Sequence, residues 1–480
     1  MEIAQHNTFE DYANDVKTAS LENQRGTLEV RLGQARLEAD TEKVTEYENK
    51  LAQLQVEINP ALNLKFTYPN KLEEAAYYGL AGEIVRTIEP NSESDPCSLL
   101  MNLLTAFGNV IENNAYFMVG ADKHPCKLFC VFVGDTSKGR KGTSWGPIRV
   151  LLELIEPEWV AERIQTGLSS GEGLIFHVRD EIYKKVLNKK TGILEEVLVD
   201  AGVEDKRLLI IEGELSQTLK VLSREGNTLS PIIRNSWDSG KLQTLTKNSP
   251  LKASGTHISI IGHITNSELV RALKEIETGN GFANRFLWVC VRRSKSLPFG
   301  GDFSQIDLEL LTNELRKAVE FAKTAGEIKW AEETKPLWAS IYEELSEGKP
   351  GIVGAICARA EAQVTRLACI YALLDCSKVI KPAHLKAALA IWSYAEASVK
   401  YIFQNIMEDA LANKILDAIA VRPLGITRTE ISNVLGRNYS TSRINEALDE
   451  LRGAGLAEVK KVESGGRPIE RWNLVKHDTK

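Results

Sequence analysis

Four apolar runs constrain this chain more than any other feature: KLFCVFVGD (127–135), RLLIIEGE (207–214), HISIIGHIT (257–265) and FLWVCVRR (286–293). Their cores are nearly continuous in Val, Ile, Leu, Phe and Cys, without the alternation of a half-exposed strand. That is the pattern of strands covered on both faces. GLIFHV (173–178) is expected to be a further strand of the same kind. Helical patterns lie between several of these runs, which argues for an α/β fold with a largely parallel sheet.

A chain of 480 residues is too long for one ordinary core, so two to four domains are expected. Residues 27–58 place Val30, Leu37, Val44 and Leu51 at heptad spacing, with Tyr47 and Leu54 on a companion seam. This predicts a helical, coiled-coil-like arm over 1–58, which either pairs with another helix or lies on its own domain. Asn59-Pro60 ends it. A helical lead-in is expected over 59–125, an α/β core over 126–300 and a helical lid over 301–406. Residues 407–480 form the last domain, with helices at ANKILDAIA, ITRTEISNVLG and STSRINEALDELRGAG and two strands around a Gly-Gly turn. Three short helices plus a hairpin is the winged-helix pattern.

The 59 basic residues are outnumbered by 65 acidic ones, which excludes a generally basic nucleic-acid coat and leaves only a local surface for such a partner. The first residues lack a basic stretch followed by an apolar one, and no apolar run is long enough to cross a bilayer. The seven cysteines are scattered without zinc-site spacing and read as buried thiols in a reducing cytoplasm.

The first apolar run opens into GDTSKGRKGTSWG (134–146), a Gly-rich, basic, hydroxyl-rich loop followed by a helical pattern. Strand, glycine loop and helix N-terminus together cradle phosphate through backbone N–H groups. The spacing departs by one residue from G-x-x-x-x-G-K-[ST]. Gly134 and Gly139 take the glycine places, Arg140 follows, and Gly142 separates Lys141 from Thr143 and Ser144. Lys141 is expected on the β- and γ-phosphates of ATP and Thr143 on Mg²⁺, with Asp135, Thr136, Ser137 and Lys138 completing the loop. The alternative is a basic surface turn.

RLLIIEGE ends in Glu212 and Glu214. One carboxylate could hold Mg²⁺ while the other polarises the attacking water, as phosphoryl transfer requires. Glu212 is the metal candidate, though the sequence does not divide the roles. His263 and Thr265 end the next strand, where a polar group could touch the γ-phosphate. Arg285 precedes the last strand. It could reach a neighbouring subunit's phosphate or form a salt bridge. Ser169, Ser170 and Glu172 in GLSSGEGL lie either near the nucleotide or DNA, or on a structural turn.

In the last domain, Ser440, Thr441, Ser442 and Arg443 begin the expected recognition helix, with Arg437 ahead of it. Lys460, Lys461 and Arg467 lie on the wing. Glu446, Asp449 and Glu450 make the same helix acidic further along, and winged helices also serve as protein contacts.

GDTSKGRKGTSW, GLSSGEGL, LLIIEGE, SREGNTLSPIIRNSWD and NGFANRFLW occur in order between about residues 70 and 405. Together they resemble a P-loop family of plasmids, phages and integrated elements, a domain of unknown function often fused to primase-polymerase modules. A weaker resemblance runs to minichromosome-maintenance helicases of the AAA+ class, through ANRFLWVCV and RAEAQVTRLACIYALL. The resemblance implies a P-loop NTPase core of AAA+/RecA-like type, Arg285 as an arginine finger acting in trans, and Arg359 or Arg366 as a lid arginine. The family's usual loop has a hydroxyl directly after the lysine, where this chain has Gly142.

The expectation is a cytoplasmic ATP- and Mg²⁺-dependent DNA motor. It would be a replicative helicase or translocase of a mobile element, working as a homo-oligomeric, hexameric ring beside a primase or other replication protein. The alternative is a DNA-binding ATPase switch, such as a loader, a regulator or a defence component. A scaffold without ATPase activity is a third reading.

Overall fold

The computed structural model describes residues 68–475 apart from 135–141, 188–192, 225, 246–249, 276–280, 303–306, 350, 404–409, 421, 423–424, 454–455 and 463–468. The expected 1–58 arm and residues 135–141 of the Gly-rich loop therefore lie outside the described residues.

Two compact units are present, and residues 68–403 make up the larger. Its core is a five-stranded parallel sheet of β3 (Phe129–Val133), β4 (Ile164–Gln165), β7 (Arg207–Glu212), β10 (His257–Ile264) and β11 (Leu287–Cys290). Across the sheet the order is β11-β3-β10-β7-β4. Every residue of β3 and β10 is buried, which is why these runs show no polar alternation.

Helix α1 (Gly79–Ile88) leads into α2 (Pro96–Val110), which is buried along nearly its whole length. Asp95 caps α2 by accepting the Cys97 N–H at 3.0 Å. At the other end, Asn109 donates to the carbonyls of Leu208 and His257 at 3.1 and 2.9 Å, and accepts from the Trp159 indole at 3.0 Å. One buried amide thereby fixes α2 to the starts of β7 and β10. The long helix Pro382–Phe403 covers the β11 edge: Ser398 Oγ accepts the Cys290 N–H at 3.1 Å, and Tyr394 donates to the Cys290 carbonyl at 2.8 Å. Edge-strand groups that would otherwise face open pairing are satisfied this way.

Three expectations need correction. GLIFHV is not a strand: residues Gly171–Phe176 form a short helix, α5, capped by Ser170, whose hydroxyl accepts the Gly173 N–H at 3.0 Å. The lead-in is not helical throughout: β1 (Tyr116–Val119) and β2 (Asp122–Pro125) form a hairpin before the core. The lid region also contributes strands, because Glu327–Trp330 pairs parallel with β1 and Val379–Ile380 extends that second sheet. A further antiparallel hairpin, β5 (Ile182–Leu187) with β6 (Leu194–Asp200), belongs to neither sheet.

The smaller unit contains helices Ala410–Ala420, Arg428–Val434 and Thr441–Gly453, with three antiparallel strands in the order Ile426–Thr427, Ile469–Leu474, Ala457–Val462. Ile415, Ile431, Leu448, Leu451 and Trp472 share its core. Thr427 and Glu430 form a capping box at the start of the second helix. Six cysteines are buried and Cys376 is exposed. No described helix is long and apolar enough to cross a membrane.

Candidate functional site

The strands of a parallel sheet all end at one edge, so loops that follow them converge there. Gly134 follows β3 directly, and its N–H donates to the Ile264 carbonyl at 3.2 Å. On the far side of the loop, Gly142–Ser144 form a single tight turn that runs into helix α3 (Trp145–Glu153). The two hydroxyls of that turn differ. Ser144 is fully buried and its Oγ accepts from Asn102 of α2 at 2.9 Å. Thr143 is exposed, and its Oγ1 lies 3.2 Å from the hydroxyl of Ser94. Asn102 and Ser94 are not legible as parts of this site, because they precede the hydroxyls they meet by 42 and 49 residues.

Gly262 on β10 stands opposite both Val131 on β3 and Glu212 on β7. Two strand spacings, about 10 Å, therefore separate the loop strand from the acidic strand. Gly262 lies close to the next helix: a Cβ there would come within 2.9 Å of the Leu215 side chain, which would have to shift.

The structure separates the two carboxylates. Glu212 is 6% exposed, and its Oε1 accepts the N–H groups of Gly167 and Leu168 at 2.6 and 2.8 Å. It thus fastens the start of the GLSSGEGL segment to the sheet edge. Gly167 adopts φ +88°, a left-handed conformation that glycine accommodates without strain. Ser170 caps α5, and Glu172 accepts from the Thr228 hydroxyl at 3.4 Å. Glu214 is exposed at the start of the helix Leu215–Leu222.

His263 is buried on β10 with its ring 5.5 Å from that of Phe132. Thr265 Oγ1 accepts the Glu268 N–H at 3.3 Å, and the Glu268 carboxylate accepts the Thr265 backbone N–H at 3.3 Å and its hydroxyl at 2.7 Å. This is a capping box for the helix Asn266–Glu275, and the spacing T-x-x-E is its sequence signature.

The arginines lie elsewhere. Arg285, Arg359 and Arg366 gather at the opposite edge of the sheet, where the strands begin, around Trp237 and Asp238. Arg366 is buried with its guanidinium 3.5 Å from the Trp237 ring centre, and donates to the carbonyls of Lys127 and Trp237, each at 3.1 Å. Arg285 is buried, ion-paired with Asp238 at 2.5 Å and hydrogen-bonded to the Gly281 carbonyl. Arg359 meets the same Asp238 carboxylate at 3.4 Å and donates to Asn284 at 3.2 Å. Lys127, just ahead of β3, is buried and donates to the Ser236 carbonyl. Burial, then the Arg366 charge, pushes Lys127 down to about 7. Burial likewise pushes Arg366 down to about 9. Roughly 16 Å of β3 separates this cluster from the Gly-rich loop, so within one chain these cations do not face it.

In the smaller unit, Ser440 caps the helix that begins at Thr441 by accepting the Arg443 N–H at 3.2 Å. Arg443 pairs with Glu446 at 3.5 Å, and Arg437 donates to Asn433 at 3.0 Å. Lys460 pairs with Glu458 at 2.6 Å, and Lys461 follows it on the same strand. Arg467 lies outside the described residues.

Among the described residues no group of three or more His, Cys, Asp or Glu side chains is arranged to hold a metal ion by itself. A Mg²⁺ ion bound with nucleotide needs no such cage. It takes one or two protein oxygens, phosphate oxygens and water, and the exposed Thr143 hydroxyl and the carboxylates at the β7 end are oxygen donors of that kind. No family model matches this sequence, and no curated protein is significantly similar to it.

Proposed function

We propose that this chain is a P-loop ATPase that works as an ATP- and Mg²⁺-dependent motor on DNA, a helicase or translocase of a mobile element acting as a ring of identical copies. The observation that carries the reading is the sheet order. The strand leading into the Gly-rich loop and the strand ending in Glu212, with Glu214 just beyond it, flank β10, and all three finish at one edge. The loop after β3 and the exposed acid beyond β7 thus belong to the same end of the sheet, as a nucleotide-hydrolysing site requires. After β3 the chain crosses to the β4 edge, whereas after β10 it crosses to β11 on the other side. Open α/β sheets bind ligands at such reversals.

Lys141 neutralises the β- and γ-phosphates. Thr143 is the hydroxyl for Mg²⁺, because it is exposed whereas Ser144 is fully buried. Glu214 is the base that polarises water. Glu212 orders the 167–168 backbone beside it. ATP supplies the phosphoryl group, and Mg²⁺ neutralises charge on its oxygens when bound. The three-helix, three-strand unit after residue 410 supports a winged helix that holds DNA.

A second reading, a DNA-binding ATPase switch, is favoured by the pairing of the basic residues. Arg443 and Lys460 each have an acidic partner, and Arg285 is held within its own chain.

Strand displacement separates the two. The full chain should release the labelled strand of a forked duplex at low salt with Mg·ATP, and not with a non-hydrolysable analogue. DNA-stimulated ATP turnover without displacement supports the switch. Absence of turnover with DNA present overturns both.

A further inference from the structure

The β5–β6 hairpin is rooted firmly and covered poorly. At its base Arg179 grips Asp200 through two hydrogen bonds of 2.8 and 2.9 Å, and Lys206 binds Asp180 and the carbonyls of Val178 and Arg179. Beyond that base, an isolated two-stranded ribbon is marginal in water unless something packs on it. Its side chains are apolar nonetheless: Tyr183, Leu187, Leu194 and Leu198 are between 47% and 61% exposed, and Val186 and Val197 are similarly open. About half of each of these side chains is open to solvent, and they are divided between the two faces of the ribbon.

The register sorts these residues into faces, because directly opposed residues share one. Tyr183 stands opposite Leu198, Lys185 opposite Glu196, and Leu187 opposite Leu194. One face therefore has an apolar pair at each end and a lysine–glutamate pair between them. We propose that this face packs against the same face of a second copy of the chain, about a two-fold axis parallel to the strands.

That axis lays β5 of one copy over β6 of the other at the stacked-sheet distance of about 10 Å. Lys185 of each copy then meets Glu196 of the other, Leu187 meets Leu194, and Tyr183 meets Leu198. A two-fold axis across the strands would instead set Lys185 on Lys185 and Glu196 on Glu196. The surface is thus complementary to itself in one arrangement, as a contact between identical patches must be. On the two strands Lys184 and Lys185 are balanced by Glu195 and Glu196, which disfavours a phosphate backbone as the occupant. The connecting segment adds Lys189 and Lys190, so nucleic acid is retained as an outcome of the test. The proposal holds whether or not the chain hydrolyses ATP.

The test is sedimentation of the full chain across a concentration series. Lys185→Glu alone and Glu196→Lys alone each set like charges against each other. Each should weaken association at least about tenfold, since like-charge juxtaposition at an interface is costly. Mixing the two variants should restore the wild-type mass, because each then offers the charge the other lacks. A chain carrying both changes should also associate with itself. Thermal melting checks that each variant is folded. The proposal is overturned if both single variants sediment as wild type, if the mixture and the double variant stay dissociated, if the wild type shows no pairing, or if the changes alter only binding to single-stranded DNA.

Discussion

Glu214→Gln should bind Mg·ATP as the wild type does and hydrolyse it about 10²–10⁴-fold more slowly, the usual share of a general base. The argument rests on the contrast between two carboxylates two residues apart. Glu212 is buried and one of its oxygens already accepts two backbone N–H groups. Glu214 is exposed where β7 gives way to a helix, free of that backbone anchorage and open to a water molecule. An amide at position 214 keeps the shape and cannot take a proton. Glu212→Gln keeps an oxygen for Gly167 and Leu168 but loses its charge, so its effect should fall on Mg²⁺ dependence and on the order of the 167–174 segment. Turnover and its Mg²⁺ dependence, measured on both variants, decide the matter. Equal, small losses from both would show that neither is the base.

Arg285→Ala should bind ATP and hydrolyse it about 10³–10⁵-fold more slowly if the arginine stabilises transition-state charge on a neighbouring copy. In the single chain this guanidinium is turned inward to Asp238 and the Gly281 carbonyl. Acting in trans therefore requires a neighbour's phosphate to compete with Asp238. Mixing separates the roles: Arg285→Ala and Lys141→Ala, each inactive, should together regain activity, because a mixed interface pairs an intact loop with an intact arginine. A purely structural arginine gives a different signature. Removing the buried guanidinium would leave a void and strip the Gly281 carbonyl and Asp238 of their partner, so the melting temperature would fall and mixing would restore nothing.

The sheet was legible because each of its central strands is covered on both faces and therefore uninterrupted in apolar sequence. GLIFHV shared that character but was too short for periodicity to distinguish a strand from a buried helix. The deciding signals were the Ser170 cap and the glycines around it. The strand Asp122–Pro125 has no signature in sequence because DKHP has no apolar pattern, and its exposed edge position demands none. At the site, the residues legible in sequence were those set by local motif: the glycines of the loop, and the acids ending a strand. The residues that hold them were not. Glu212 is bound by backbone 44 and 45 residues earlier in the chain, Ser144 by Asn102, and Arg285 by Asp238, 47 residues before it. Local sequence carries the chemistry of each group, whereas its partner is decided by how the strands are ordered.

The central claim is that the Gly-rich loop holds a nucleotide through Lys141. The most direct measurement is an equilibrium titration of the full chain with a fluorescent, non-hydrolysable ATP analogue and Mg²⁺, repeated with Lys141→Ala and Lys138→Ala. One analogue should bind per chain. Losing a positive charge from the β- and γ-phosphates should weaken binding at least about tenfold, or 1.4 kcal/mol, for Lys141→Ala, and by much less for Lys138→Ala. Equal affinity in the wild type and Lys141→Ala, or saturation that does not depend on Mg²⁺, would contradict the account.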